Sequence, residues 1–262
     1  MHPELASLVV PEARSGVFLD FDGTLSEIVP EASAARPLPD VREILAELSR
    51  RVRLVAVVSG RSAAQLVDWL GPEIEIWGVH GAERGRDGIV ALDERLDDYL
   101  PLMRSVRDQA ENAVGKWGDP GIAVEDKKVV ITLHYRQARD RAASERMVRS
   151  LGDRLAAEHG VTVEPGRASL ELRPPVDLSK AQVVARRAKE ENLNAAMFVG
   201  DDTGDLPAFR ALEDLRAQGL RTVKVVARSD ESPQALLDAA DVVVDGPRGT
   251  VALLRELARA RP

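Results

Sequence analysis

The sequence predicts an α/β fold, a parallel sheet covered by helices and interrupted by a smaller α+β insert. Three observations carry that prediction. Short apolar runs alternate with longer amphipathic stretches, the pattern of a parallel sheet with crossover helices. Two of the apolar runs, "GVFLD" at 16–20 and "AAMFVGDD" at 195–202, end directly in carboxylates. The middle of the chain switches to alternation with period two, which marks an antiparallel sheet with one uncovered face.

The elements follow in order. "GVFLD" is a first strand, and "VREILAELSRR" puts Val41, Ile44, Leu45 and Leu48 at helical spacing. "RLVAVVSG" at 53–60 is a second buried strand. Ser62 and Gln65 then make a capping box for a helix that Gly71-Pro72 stops. "EIEIWGVHG" is a third strand. In the middle, "GIAVEDKKVVITLHYR" (121–136) and "RASLELRP" (167–174) alternate, with a long charged amphipathic helix, "DRAASERMVRSLGDRLAAEHG", between them. "VDLSKAQVV" opens a helix, "TVKVVAR" and "DVVVDG" are strands, and "TVALLRELARA" is a closing helix. The core is therefore expected over 1–84 and 176–262, with the insert over 85–175.

Composition narrows the function. A 44% apolar share, 30% charged residues and a net charge of −7 with no basic block are globular and do not point to nucleic acid. The absence of cysteine excludes disulfides and thiolate metal sites. No signal-peptide pattern opens the chain, and its longest clean apolar run, "LVAVV", is far short of the roughly 20 residues a membrane helix needs. A soluble cytoplasmic protein with no membrane partner is expected; oligomeric state is not legible.

Three strands deliver polar groups at their C-terminal ends: Asp20 and Asp22; Ser59 and Arg61; Asp201, Asp202 and Asp205. In open α/β sheets the ligand crevice lies outside those ends. Singly, each has a plain structural reading: Asp-Gly-Thr is a turn, Ser62 only a cap, and Asp205 before Leu206-Pro207 an N-cap. Together they repel one another and call for a cation. A hard ion with oxygen ligands, Mg²⁺, suits a chain without thiols and with few histidines. Lys180 lies in the first turn of its helix, against the positive dipole end, where a lysine is either an exposed residue tolerated by solvent or part of a site.

"DFDGTL", "VVSGR", a lysine and "FVGDD" in that order resemble the motifs of haloacid-dehalogenase (HAD)-type phosphotransferases. The resemblance spans residues 17–205 and implies a HAD-like Rossmannoid core with an inserted cap. It implies that Asp20 is a nucleophile forming an aspartyl phosphate, and that Asp22 is the general acid and then the base. Ser59 and Lys180 would hold phosphoryl oxygens, with Gly60 beside them. Asp201, with Asp20 and the Asp22 carbonyl, would hold Mg²⁺, with Asp202 and Asp205 in the same carboxylate group.

"GVHGAE", "VEDKKVVITLHYR" and "LELRPPVD" resemble, more closely, the trehalose-6-phosphate phosphatase family. This implies trehalose 6-phosphate as substrate, with Arg61, His80, Glu83, Glu125, Lys127, Glu171 and Arg173 surrounding the sugar or gating the site. Period two independently puts Glu125 with Lys127, and Glu171 with Arg173, on shared strand faces. Such faces either line a sugar pocket or are solvated surface, and His134 reads as a structural hydrogen-bonding residue. The chain departs from the family at "GDDTGDL", where Thr and Glu are usual for Gly204 and Leu206, and at "DLSK", where the lysine motif is usually D-K-G. Rival readings are a phosphatase or phosphomutase for another sugar phosphate, and a sugar-phosphate-binding module without catalysis.

Overall fold

The computed structural model describes residues 2–10, 12–29, 32–166 and 168–260. In chain order its main elements are β1 (Ser15–Leu19), α1 (Val41–Ser49), β2 (Leu54–Val58), α2 (Ala63–Leu70), β3 (Glu75–Gly78), β4 (Glu83–Arg86), β5 (Ile89–Leu92), α3 (Leu100–Trp117), β6 (Ala123–Asp126) and β7 (Ile131–His134). There follow α4 (Arg141–His159), β8 (Thr162–Gly166), β9 (Ser169–Arg173), α5 (Lys180–Glu190), β10 (Ala195–Gly200), α6 (Leu206–Ala217), β11 (Arg221–Arg228), α7 (Gln234–Ala239), β12 (Val242–Asp245) and α8 (Gly246–Arg259). The chain divides into two units, residues 1–91 with 178–262, and residues 92–177.

The larger unit holds a sheet of order β12-β11-β10-β1-β2-β3-β4-β5. From β12 to β3 the strands are parallel, and β4 returns antiparallel to β3. The chain leaves β1 outward through β2 and β3, then resumes on β1's other side through β10, β11 and β12. The strand order therefore reverses at β1, and the crevice outside its carboxyl end is the expected ligand site of such a sheet.

Along β1, β2 and β10 both faces of the sheet are buried, so these strands read as unbroken apolar runs. Val17, Leu19, Val55 and Val57 pack with Leu45, Leu48, Leu66 and Leu254 of α1, α2 and α8. Phe18, Ala56, Val58 and Phe198 pack on the other face with Val183, Phe209 and Leu212 of α5 and α6. Leu19 stands opposite both Val199 and Val57. The residues that follow these three strands, Asp20, Asp201 and Ser59, thus emerge at nearly one level.

Two boundaries differ from the sequence reading. The first strand ends at Leu19, although the Asp20 N–H still donates to the Val199 carbonyl at 2.9 Å. The insert begins at 92 and not at 85, because β4 and β5 join the core sheet. Asp87 and Gly88 both have positive φ, 53° and 77°, the geometry of a two-residue hairpin turn.

The smaller unit is an antiparallel sheet of order β6-β7-β9-β8. Helices α3 and α4 bury Met103, Val106, Val148 and Leu155 against Ile131, Leu133, Leu170 and Leu172. Helix α3, absent from the sequence reading, is signalled by buried Met103, Val106 and Ala110 at helical spacing.

Helix α5 is tied to β3 by a buried charge. The Glu75 carboxylate accepts from Trp77 Nε1 at 3.2 Å, Arg84 Nε at 2.9 Å and Arg187 Nε at 2.7 Å. Removing one partner of a buried pair costs up to about 3–5 kcal/mol, and Arg84, which still faces Glu75, holds the loss here toward the lower end of that range. Arg187→Leu is expected to lose that much stability by urea denaturation, and Glu75→Leu added to it should recover part of the loss. Additive losses would show that the pair does not couple.

Candidate active site

Asp20 follows Phe18 by two residues and turns to the same side of the sheet, toward the N-terminus of α5. Ser179 caps that helix, its side chain accepting from the Gln182 N–H, so Lys180 is the first helical residue. The Lys180 Nζ lies 2.9 Å from Asp20 Oδ1 and 2.7 Å from Asp205 Oδ1. All three side chains are buried. Burial of an ammonium beside the helix dipole is unfavourable alone, and these two carboxylates compensate it. Burial pushes the lysine pKa down, but Asp20 and Asp205 outweigh that and hold it above its ordinary value.

Asp201 completes the group. Oxygens of Asp20, Asp201 and Asp205 all lie within 4.8 Å of one another. Gly23 makes the approach feasible: it lies at φ 76°, and a Cβ there would collide with the Asp201 carboxylate. Asp20 is pushed up to about 8, first by burial, with Lys180 pulling it down and Asp205 pushing it further up. Asp201 is pushed up to about 9 by burial and then by Asp20 and Asp205. Three buried carboxylates with one ammonium fit a site for a hard cation, since every donor is a carboxylate oxygen.

Asp202 does not join that group, contrary to the expectation from the motif. Its carboxylate accepts from the Gly204 N–H at 2.7 Å, capping a short 3₁₀ turn over Thr203–Asp205. Asp205 closes the same box, its Oδ2 accepting from the N–H groups of Asp201 and Asp202 at 2.9 and 3.2 Å. Asp205 thus does not cap α6 with its side chain; one oxygen braces the Asp201 backbone and the other holds Lys180. Gly204 and Leu206, the departures from the family pattern, leave this box intact.

Asp22 lies apart from Asp20's partners. The strand has ended, Phe21 is buried on the opposite face against Trp69 with ring centroids 5.5 Å apart, and Asp22 meets Arg61 instead. Arg61 Nε and Nη2 each lie 2.7 Å from one oxygen of the Asp22 carboxylate. The guanidinium also stands over the Phe21 and Trp69 rings, 5.4 and 5.5 Å from their centroids. Gln65 offers its amide oxygen to Arg61 at 3.4 Å, while Ser62 caps α2 as predicted.

The turn after β2 is braced from β3. Ser59 Oγ accepts from the Arg61 N–H at 3.2 Å, and the Ser59 carbonyl accepts from the His80 N–H at 2.9 Å. Val79 and His80 both have positive φ, 49° and 57°, each worth about 1–3 kcal/mol of strain that surrounding bonds must hold. The Val79 N–H donates to the Arg61 carbonyl at 2.8 Å, which is such a bond. Gly60 leaves room for the His80 ring, whose Cε1 would stand 2.8 Å from a Cβ there. Glu83, expected near the sugar, is buried with its Oε2 accepting from the Ala63 N–H at 2.7 Å, where its charge suits the N-terminus of α2.

In the smaller unit the face away from α3 and α4 carries a row across all four strands: Glu125, Thr132, Glu171 and Glu164 stand opposite one another in turn. Lys127 Nζ lies 3.5 Å from Glu125 and 3.6 Å from Glu171. Arg173 Nε lies 3.0 Å from Glu171 Oε2, and His134 Nε2 lies 2.8 Å from Glu125 Oε2. His134 is thus hydrogen-bonded within the unit, as read from sequence, and that bond, opposed by partial burial and aided by Lys127, pulls Glu125 below the usual carboxylate range. Thr132, unremarked in the sequence, has a buried hydroxyl without a protein partner. Among the described residues no helix is long and apolar enough to cross a membrane.

The family described as trehalose-phosphatase matches residues 18–242, from Phe18 in β1 to the start of β12. The chain belongs to the trehalose-phosphatase family. A trehalose-phosphate phosphatase of Mycobacterium leprae (strain TN) is 32% identical over 259 residues, covering 94% of this chain and 58% of its own. The chain thus spans a little under three-fifths of the length of that relative. The solved trehalose-6-phosphate phosphatase C-terminal domain of C. albicans superimposes with a TM-score of 0.78 at 26% identity, covering 97% of this chain and 96% of its own. A haloacid dehalogenase-like hydrolase from Bacteroides thetaiotaomicron, at 15% identity and TM-score 0.60 over 93% of this chain and 99% of its own, shares the fold. The resemblance in the motifs is therefore one of the whole family fold.

The carboxylate group makes a pH prediction for this family member free of metal. Asp20 and Asp201 have folded pKa values raised to about 8 and about 9 from an ordinary 3.8. Between those limits the folded chain keeps protons that the unfolded chain has lost, so stability is greatest at low pH and falls as pH rises. Thermal melts of dialysed protein should drop steadily from about pH 5 to about pH 9, and Asp201→Asn should flatten the drop. A wild-type profile that rises over this range would contradict the burial of these charges.

Proposed function

We propose that the chain is a Mg²⁺-dependent phosphomonoesterase that hydrolyses trehalose 6-phosphate to trehalose and phosphate through an aspartyl phosphate on Asp20. The observation that carries the reading is Asp20 at the switch point of the sheet, held by Lys180 within the group of Asp201 and Asp205, in a chain of this family. Asp20, Asp201 and Asp205 are the side chains that would hold the cation, with the Asp22 carbonyl. When bound, a hard divalent cation neutralises the crowded carboxylates and the phosphoryl oxygens.

The rest is done by the chain's own groups. The Asp20 carboxylate attacks phosphorus, the P–O bond to the sugar breaks, and Asp22 gives its proton to the departing alkoxide. Asp22 then takes a proton from water as that water attacks the aspartyl phosphate, releasing phosphate and restoring Asp20. Splitting the transfer this way turns one hard displacement into two easier ones. Lys180 orients Asp20 and, with Ser59 and the Gly60 backbone, offers positive charge and donors to the phosphoryl oxygens. Glu125, Lys127, Glu171 and Arg173 of the smaller unit are the groups that the family resemblance assigns to the sugar. A site built of such groups rejects ligands that leave them unpaired.

The test is phosphate release from a panel of sugar phosphates with and without Mg²⁺. Trehalose 6-phosphate should be preferred over glucose 6-phosphate, EDTA should abolish release, and Asp20→Asn should eliminate it in a folded protein. Preference for glucose 6-phosphate, or turnover by Asp20→Asn near the wild-type rate, would overturn the reading. Metal binding has its own readout: Mg²⁺ at about 100 times its Kd should stabilise by about 2.7 kcal/mol in thermal melts, and Asp201→Asn should abolish that shift.

Glu125→Ala or Lys127→Ala should cut kcat/KM for trehalose 6-phosphate by about 10- to 1,000-fold, or about 1.4 to 4 kcal/mol. Hydrolysis of p-nitrophenyl phosphate, which has no sugar, should barely change. Equal losses on both substrates would assign these residues to folding instead.

A further inference from the structure

We propose that Arg61 is a positioning residue for Asp22, acting on the reaction through that carboxylate and not through the substrate. The inference rests on the phosphatase reading above. The family resemblance put Arg61 among residues that surround the sugar or gate the site, yet its side chain grips Asp22 with two parallel bonds of 2.7 Å. A bidentate guanidinium–carboxylate pair fixes both the place and the plane of the carboxylate, which a lysine or a single hydrogen bond does not.

The Asp22 backbone is fixed by a bridge to Ser26, but its side chain, beyond the end of the strand, has no packing to set its orientation. Strand β1 stops three residues earlier, and the loop turns at Gly23. Its side chain is 43% exposed, so packing does not restrict its rotamers, whereas the Arg61 side chain is 10% exposed. Arg61 is itself fixed from several sides: Phe21 and Trp69 lie under the guanidinium, Gln65 accepts from Nη1, and the Arg61 N–H donates to Ser59. The loop after β2 therefore reaches across the switch point and orients the acid carried by the loop after β1. A buried residue holds an exposed one, and each Asp22 oxygen keeps a second lone pair outside the fork to carry the proton exchanged with the leaving oxygen and with water.

A double-mutant cycle tests this. Arg61→Met keeps the stem over the rings and removes the fork; it should lower kcat for trehalose 6-phosphate by about 10- to 100-fold with KM little changed. The loss should be smaller for p-nitrophenyl phosphate, whose leaving group needs little protonation. In an Asp22→Asn background, Arg61→Met should cost almost nothing more, because the group it positions is already gone. The same fold-loss in both backgrounds, or a raised KM with kcat unchanged, would overturn the proposal and return Arg61 to substrate binding. If Arg61→Met does not fold, Arg61→Lys carries the cycle, since it retains the charge over the rings without the fork. Wild-type activity on trehalose 6-phosphate tests the parent reading separately. Should another sugar phosphate prove to be the substrate, the cycle is run on that one, and a chain that hydrolyses none of them sinks both.

Discussion

The ammonium of Lys180, buried between Asp20 and Asp205, is the contact on which the candidate site depends. A lysine at the first position of a helix, out of water, is stable there only with carboxylates against it. Those carboxylates come from residues 160 positions before it and 25 after it in the chain. One side-chain contact therefore joins the end of β1, the start of α5 and the turn after β10. Asp205 couples the pair to the Asp201 backbone, whose N–H donates to its second oxygen.

That group carries more negative than positive charge in a buried place, and the two raised carboxylates express the excess. Binding a cation and a phosphate there resolves the conflict in both directions: the cation relieves the carboxylates, and Lys180 with the cation receives the phosphate. Stability without ligand is sacrificed where the chemistry needs charge, the common condition of active sites. The neighbouring loop is built on the opposite plan. Asp22 meets the Arg61 fork with both oxygens, and the rings of Phe21 and Trp69 lie against the guanidinium.

The smaller unit shows a second use of paired charge. Its apolar residues face α3 and α4, and its other face presents a chain of contacts from His134 through Glu125, Lys127 and Glu171 to Arg173. Each charge of that chain of contacts has a partner, which holds its donors and acceptors in fixed places.

Much of this was legible in one dimension. Apolar runs too uniform for a half-buried sheet identified the parallel core, period two identified the smaller sheet, and carboxylates at strand ends identified the crevice. These signals are local, because burial on both faces or on one face leaves its period in the residues themselves. The hairpin at Asp87-Gly88 and its membership in the core sheet came from the structure, since the sequence reading placed residues from 85 onward in the insert. Partner choice among the polar residues was decided by tertiary structure alone. Nothing near Asp202 or Asp205 in sequence says that one caps a turn and the other reaches Lys180, nor that Glu83 holds the amide of Ala63. Arg61 lies 39 residues from Asp22, and only the parallel pairing of β1 with β2 brings them together. Periodicity reports which residues leave water; which charges then meet depends on strand order, and strand order is a property of the folded chain.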